Sequence, residues 1–435
     1  MPPPQPEAPA SSLARKRGPA EAVLEHVGVG QDLIVPLANG EPTALLDAIE
    51  AEADQLSGVH VHQMHALHDR PYLHGAHQGR LDHVSYFLSP VTRGPYAKGH
   101  LELVPAHFSE VPLLMRRTAT RPLVLAAASL PDRHGFFSLG TNADYVAGLL
   151  GKAPIFLEAT GAMPRTLGRN QIHVTQILGW TQSERDLLEI NPPAITDKDR
   201  QIAARVTAYI HDGDTIQAGI GAVPNAIMSM LGNHNDLGVH TELLSDGLVD
   251  LAERGVITST QKTVNRGKIV TTFALGTRRV YDYIDENPAV EFWPVEYVNN
   301  PVIIGREENF VSVNASLEVD LLGQCASESI GSRMHSGSGG QSDFARGAMY
   351  SQGGRSFIVL HSTTSDGSRS RISPQLTPGA AVTTMKNTVD YVVTEYGVAE
   401  LRGATLRERA RRLVAIAHPD FRETVREEAR AHGLL

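Results

Sequence analysis

Cysteine is nearly missing from this chain: one residue, Cys325, in 435. No internal disulfide framework can form, so packing alone must hold the fold, and a reducing compartment, the cytoplasm, is the expected location. Basic residues are also outnumbered, 39 Lys and Arg against 48 Asp and Glu, for a net charge of −9. The only compact basic run is Arg15-Lys16-Arg17, which excludes a general nucleic-acid binder. No stretch approaches the roughly 18 uninterrupted apolar residues of a membrane span. The first residues, "MPPPQPEAPASSLARKRG", are rich in proline and alanine and lack the apolar core of a signal peptide. Residues 1–20 therefore read as a disordered tail.

What the chain does have is an ordinary globular balance, 41% hydrophobic and 20% charged, at a length that suggests more than one domain. The stretch "VLEHVGVGQDLIVPLANGEPTALLDAIEAEA" predicts a short helix, a turn, a strand over Leu33–Pro36, a glycine loop and a helix. The same order returns in "QIAARVTAYIHDGDTIQAGIGAVPNAIMSMLG", with a strand over Thr215–Ala218 and a helix opened by Pro224. Two such units predict two related α/β domains with mainly parallel sheets, over residues 21–190 and 191–435, joined in the proline-containing segment "EINPPAITDKD". Further strands are expected in "PLVLAAASL", "APIFLEA", "GKIVTTFAL", "SFIVLHST" and "DYVVTEYG". The closing "TLRERARRLVAIAHPDFRETVREEARAHG" predicts two amphipathic helices broken at Pro419 and packed as a lid.

Ligands of such folds collect at the carboxyl ends of strands. The loop Gly219-Ile220-Gly221 sits at such an end, just before a helix whose first N–H groups favour anions or a developing oxyanion. Turns of this kind are often only geometric. In "GVHTELLSDGLVD", Glu242 follows the short strand Gly238–His240 and interrupts an apolar rhythm. It is either an exposed residue at a helix entry or a reactive carboxylate, a nucleophile toward an activated acyl group or a base for water. The loop "HSGSGGQSDFARG", poor in bulky side chains, suits close approach of backbone or ligand. Between His60 and His83 histidine is dense, but the spacing matches no zinc pattern, so no metal site is expected and a solvated loop region is.

The ordered series "AGIGAVPNAI", "GVHTELLSDG", "PVEYVNNP", "VSVNASLEVDLLGQCASESIG", "SGSGGQSDFARGA" and "VDYVVTEYGVAELRGATLRERARRLVAIAHPDFR" resembles the acetyl-CoA hydrolase/transferase family of class I CoA-transferases. Within that family it is most similar to the 4-hydroxybutyrate and butyryl-CoA:acetate CoA-transferase branch. "ANGEP", "LPDRHGFFSLG" and "MPRTLGRNQIHV" extend the likeness through the first half. The resemblance implies the CoA-transferase fold, a homodimer, and no cofactor or metal, with coenzyme A as substrate and a short-chain carboxylate as partner. It makes Glu242 the nucleophile. It also implies that Gly219, Ile220, Gly221, Ala222 and Val223 bind coenzyme A and help form an oxyanion hole, that Gly339 and Gly340 lie opposite, and that Lys386 in "TTMKN" contacts coenzyme A.

The implied chemistry is double displacement. Glu242 attacks the thioester carbonyl, coenzyme A leaves as thiolate, and the resulting acyl-glutamyl anhydride is opened by that thiolate to a glutamyl-CoA thioester and a free acid. A second carboxylate then reverses the sequence. An acyl-CoA hydrolase using the same glutamate and a non-catalytic acyl-CoA binder are the competing readings; a sugar-phosphate isomerase-like protein lacks a basic phosphate cradle. Exclusion of water separates transferase from hydrolase, with Phe87, Phe136 and Tyr145 as candidate walls. Where many relatives read E-V-N, this chain has Glu158-Ala159-Thr160, which leaves the acid open, a dicarboxylate or branched acid included.

Overall fold

The structure is a computed structural model and describes residues 9–219 and 221–435. The four residues of "DLIV", Asp32–Val35 (β1), are all buried, as are the six of "IFLEAT", Ile155–Thr160. Continuous burial of this kind belongs to parallel strands covered on both faces. Around β1 stand Val59–Gln63 (β2), Leu81–Ser85 (β3), Glu102–Leu103 (β4), Pro122–Ser129 (β5), Ile155–Thr160 (β6) and Gly179–Ser183 (β7). They form one seven-stranded sheet in the order β7-β6-β5-β1-β2-β3-β4. Every neighbouring pair is parallel. Because β1 lies between β2 and β5, successive connections depart to opposite sides of it.

The histidine-rich segment is sheet at its two ends, whereas His65, His68, His74 and His77 lie in the connection between β2 and β3, where His74 is exposed. His60 and His62 sit on β2 and His83 on β3. His62 bonds through Nε2 to Asp32 (3.1 Å) and through Nδ1 to Tyr86 (3.1 Å). Burial holds His83 down at about 3, so it is a neutral core side chain.

The tail expected over residues 1–20 is also structured from Pro9 onward. Pro9–Lys16 is a helix (α1). The Trp180 indole donates to its Leu13 carbonyl at 3.0 Å, and Lys16 reaches the Val174 carbonyl at 3.0 Å. These tertiary bonds supply what a proline-rich local sequence cannot.

Two compact units make up the chain. The first takes residues up to Pro105, Glu110–Ile190 and Thr272–Glu296; the second takes Ala106–Ser109, Asn191–Thr271 and Tyr297–Leu435. The expected continuous domain over 191–435 is thus interrupted: residues 272–296 return to the first unit. The helix Arg278–Ile284 buries Val280, Tyr281 and Ile284 there, and the Tyr281 hydroxyl links Asn39 (2.8 Å) to the Leu188 carbonyl (2.6 Å). For the same reason "GKIVTTFAL" is not one strand but two short ones, Ile269–Thr271 and Phe273–Ala274.

In the second unit, Thr215–Ala218 (β8), Gly238–Val239 (β9), Phe310–Ala315 (β10), Arg355–Val359, Tyr391–Thr394 and Gly397–Glu400 build a six-stranded sheet. With the small pair Glu318–Asp320 (β11) and Ile372–Ser373 (β13) numbered in sequence, these last strands are β12, β14 and β15. The sheet order is β9-β8-β10-β12-β14-β15, parallel except for the last pair. Here too the first strand, β8, lies between its successors, which makes the carboxyl ends of β8 and β10 a switch point. The longer helices are Asp197–Thr207 (α2), Ala222–Met230 (α3), Asp246–Glu253 (α4), Gln341–Tyr350 (α5), Leu406–Ile416 (α6) and Arg422–Ala431 (α7). Capping boxes start α2 (Thr196 with Asp199) and α6 (Thr405 with Glu408), satisfying first-turn donors.

The closing helices are not a lid. Ala410, Leu413 and Val414 of α6 and Val425 and Ala429 of α7 are buried in one cluster with Ile358, Val392 and Cys325. They are a core layer of the second unit.

Candidate active site

Strand β8 ends at Ala218, and the chain turns at once. The Gly219 N–H donates to the Val313 carbonyl at 3.0 Å, which ties the loop to β10. Beneath it lies a buried polar cluster: the Ser312 hydroxyl donates to the Gln217 side-chain oxygen Oε1 (2.9 Å), and the Asn314 side-chain amide donates to the same Oε1 (3.2 Å) and to the Ser312 hydroxyl (3.0 Å). Such a satisfied network holds a loop rigidly at a strand end. Gly221 caps α3 at φ +136°, a conformation that side chains rarely adopt. Ala222 and Val223 open that helix; its first N–H groups have no intrahelical acceptors, as at any helix start, and no described side chain caps them. Ile220 lies outside the described residues.

Glu242 leaves the same edge of the sheet. In the parallel register Ile216 faces Val239, so Gly219 and Glu242 stand equally far beyond the paired residues. The neighbouring segment fixes the backbone: the Thr241 N–H donates to the Val270 carbonyl (2.9 Å) and the Thr271 hydroxyl to the Glu242 carbonyl (3.1 Å). His240 is buried, donates from Nε2 to the Val298 carbonyl at 2.7 Å, and is held down at about 3 by burial and by the Lys262 charge. It is a neutral strut, not an acid or base.

The carboxyl group of Glu242 meets Asn299, whose Nδ2 donates to Oε2 at 2.6 Å. Asn299 has no exposed surface, and its Oδ1 has no hydrogen-bond partner among the described residues. Glu242 itself keeps a window to solvent. Burial raises its carboxyl to about 7, the Asn299 bond works against that, and the Asp343 charge adds to it. A carboxylate so poised is part ionised near neutrality and poorly solvated, which suits a nucleophile.

The "GSGGQ" loop closes on this group. A Cβ placed on Gly340 would stand 1.9 Å from Glu242 Oε2 and 2.3 Å from Asn299 Nδ2, so only glycine fits. Gly339, at φ +54°, offers its carbonyl to the Phe108 N–H at 3.0 Å. Gly340 caps α5, and in its first turn Asp343 accepts from the Ser109 N–H (3.1 Å) and hydroxyl (2.9 Å). The "TTMKN" segment docks at the same helix start: Gln341 Nε2 donates to the Thr384 hydroxyl at 3.2 Å, and the Ser342 hydroxyl to the Thr383 carbonyl. Lys386, two residues on, has its carbonyl held by Arg409 at 2.7 Å.

The structure thus brings together Glu242 and Gly340 in contact, and it sets Gly219, Gly221, Ala222 and Val223 on the same sheet edge. Asn299, His240 and Asp343 belong to the site but carried no local signal of their own. Asn299 lies 57 residues from Glu242, and only the "VNN" run before Pro301 marks it. The candidate walls differ from expectation. Tyr145 is a core residue with its hydroxyl bonded to Val35 and Met64, Phe136 lies exposed against His173, and only Phe87 is half-buried, against His65. Thr160 spends its hydroxyl on the Arg185 carbonyl at 3.0 Å, and buried Glu158 accepts from the Ala44 N–H and the Ser183 hydroxyl. Both are framework residues of the first unit.

Comparison with known proteins gives a consistent picture. The acetyl-CoA hydrolase/transferase N-terminal domain pattern matches residues 9–228 and the C-terminal domain pattern residues 276–429; Glu242 falls between them. The chain is 42% identical over 94% of its length to the 4-hydroxybutyrate coenzyme A transferase of Clostridium kluyveri, covering 96% of that protein. It is 43% identical over 95% of its length to the succinyl-CoA:cyclohexane-1-carboxylate CoA transferase of Geobacter metallireducens, covering 94% of it. The crystal structure of a 4-hydroxybutyrate CoA-transferase from Porphyromonas gingivalis superposes with a TM-score of 0.82 at 34% identity, over 97% of this chain and 99% of that one.

Proposed function

The chain belongs to the acetyl-CoA hydrolase/transferase family and is a CoA-transferase, and from that premise we propose that it moves coenzyme A from a short-chain acyl-CoA to a free carboxylate through a thioester on Glu242. The observation that carries this reading is the Glu242 carboxyl group, raised to about 7 and pressed against the Gly340 backbone. Bulk solvent would leave a glutamate fully ionised and strongly hydrated; here it attacks with little water to shed.

In the first step a Glu242 oxygen adds to the thioester carbonyl, and coenzyme A leaves as thiolate. Asn299 holds Oε2, which leaves Oε1 to attack. Backbone N–H groups at the start of α3 and around Gly340 receive the oxyanion, each worth about 3 kcal/mol in the transition state. The thiolate then attacks the glutamyl carbonyl of the anhydride, releases the first acid, and forms the glutamyl-CoA thioester. Return of a second acid regenerates Glu242. Protons balance throughout, because a carboxylate enters and a carboxylate leaves. Coenzyme A is a substrate in this scheme, Lys386 is a charge available to it, and the enzyme works as a homodimer in the cytoplasm.

Intact-protein mass after incubation with short acyl-CoAs and borohydride tests the scheme. Reduction of a glutamyl thioester to an alcohol removes about 14 Da, mapped to Glu242 and absent from Glu242→Ala. Release of coenzyme A by Glu242→Ala at the wild-type rate would rule the nucleophile out, and release by wild type without an acceptor acid would mark a hydrolase.

A further inference from the structure

Away from Glu242, the second unit holds a cavity of about 740 Å³, a size typical of small-molecule sites. It is lined by Glu318 of β11, Ser373 of β13, the turn from Thr364 to Arg371, and Glu428 and His432. The turn is rigid: the Thr364 N–H donates to the Arg369 carbonyl (3.0 Å), the Arg371 N–H to Ser362 (2.9 Å), and the Val319 N–H to the Arg371 carbonyl (2.9 Å). Arg369 and Arg371 are thus presented two residues apart from a fixed backbone.

The charges in this cavity are unevenly satisfied. Glu318 accepts from the Thr377 N–H (3.1 Å) and hydroxyl (2.7 Å). Asp366 accepts from the Ser368 N–H (3.1 Å) and hydroxyl (2.8 Å) as well as from Thr364. Neither the Arg369 nor the Arg371 guanidinium forms a hydrogen bond or ion pair with any described residue. Arg371 is half-buried, and burial holds it below its ordinary value despite the Glu395 charge. A partly desolvated guanidinium with no direct hydrogen bond or ion pair to a described residue has its donors open to an anion, with a fork geometry suited to phosphate. Facing it are the apolar surfaces of Leu317, Ile330, Leu376 and Pro378, of which Ile330 is 43% exposed.

We propose that this cavity binds a nucleotide, with phosphate on Arg369 and Arg371 and the base against Leu317, Ile330 and Leu376. The nucleotide chemistry has two sources: a free adenine nucleotide acting as a ligand in its own right, or the phosphorylated adenosine end of coenzyme A. The second source, but not the first, rests on the transferase reading above.

Calorimetric titration of the full chain with ADP is the test. ADP should saturate, and Arg369→Ala/Arg371→Ala should weaken it by at least about tenfold, as expected for losing charge-assisted phosphate contacts, with the melting temperature unchanged. The lysine pair R369K/R371K guards against a folding defect and should keep part of the affinity. If coenzyme A displaces ADP, and the alanine pair raises KM for acyl-CoA with kcat unchanged, the source is the substrate. If coenzyme A leaves ADP in place, the ligand is a free nucleotide. Failure of ADP to saturate wild type, or equal affinity in wild type and the alanine pair, overturns the site. ADP carries no thioester, so Glu242→Gln should bind it like wild type, which keeps a failure of the glutamate mechanism separate from a failure of the nucleotide site.

Discussion

At the scale of single residues, Glu242 holds its proton up to about pH 7, against 4.5 for an ordinary glutamate. In the proposed mechanism its nucleophilic form is the anion, so kcat/KM should rise with pH through about 7, an unusually high limb for a carboxylate. Asn299 opposes the upward shift. Asn299→Ala should move that limb further up and lower kcat at neutral pH by about ten- to a hundredfold, the worth of a hydrogen bond to a charged group, as a pH–rate profile would register. Stability follows the opposite sign. Between 4.5 and about 7 the native state binds a proton that the unfolded chain has released, so native stability falls as pH rises through that window. Glu242→Gln removes this penalty. Its melting temperature should therefore exceed that of wild type at pH 8 and approach it at pH 4, by calorimetry at the two values.

Elements show which parts of the site can be read in advance and which cannot. Strand Thr215–Ala218, the glycine turn after it and the helix that follows are written locally, because alternation, a left-handed glycine and an N-terminal proline all fall within a few residues. Glu242 stood out for the same reason, as a charge at a strand end. Asn299 did not, since its meaning lies in a partner far along the chain. The histidines of β2 and β3 misled because burial in a parallel sheet, not polarity, decides their surroundings. Amphipathicity announced the helices α6 and α7, but not whether their apolar faces cover a core or close over a ligand. A mutation separates those two roles. Leu413 is fully buried in the cluster with Ile358 and Val392, so Leu413→Ala should cost about 2–5 kcal/mol of stability in a denaturant titration. Below the melting temperature, KM and kcat should stay as in wild type; a lid residue would change them.

For the molecule as a whole, the return of Thr272–Glu296 to the first unit limits where the chain can be divided. A fragment ending at Ile190 keeps all seven strands of the first sheet, yet it loses buried Val280, Tyr281 and Ile284 and leaves Asn39 and the Leu188 carbonyl without their Tyr281 partner. The Asn39–Leu188 bonds themselves remain, so the lost apolar burial is the larger cost there, with the lost Tyr281 hydrogen bonds added to it. Such a fragment should show no cooperative unfolding transition by circular dichroism, although its strands are complete. The sole thiol carries a different consequence. Cys325 has no exposed surface, and burial pushes its thiol well above the usual range, in an enzyme that handles the thiol compound coenzyme A. Oxidised coenzyme A finds no protein thiolate with which to form a mixed disulfide. A cysteine introduced on the surface would be the one position open to a maleimide dye, so spectroscopic labelling of this chain needs no prior removal of native cysteine.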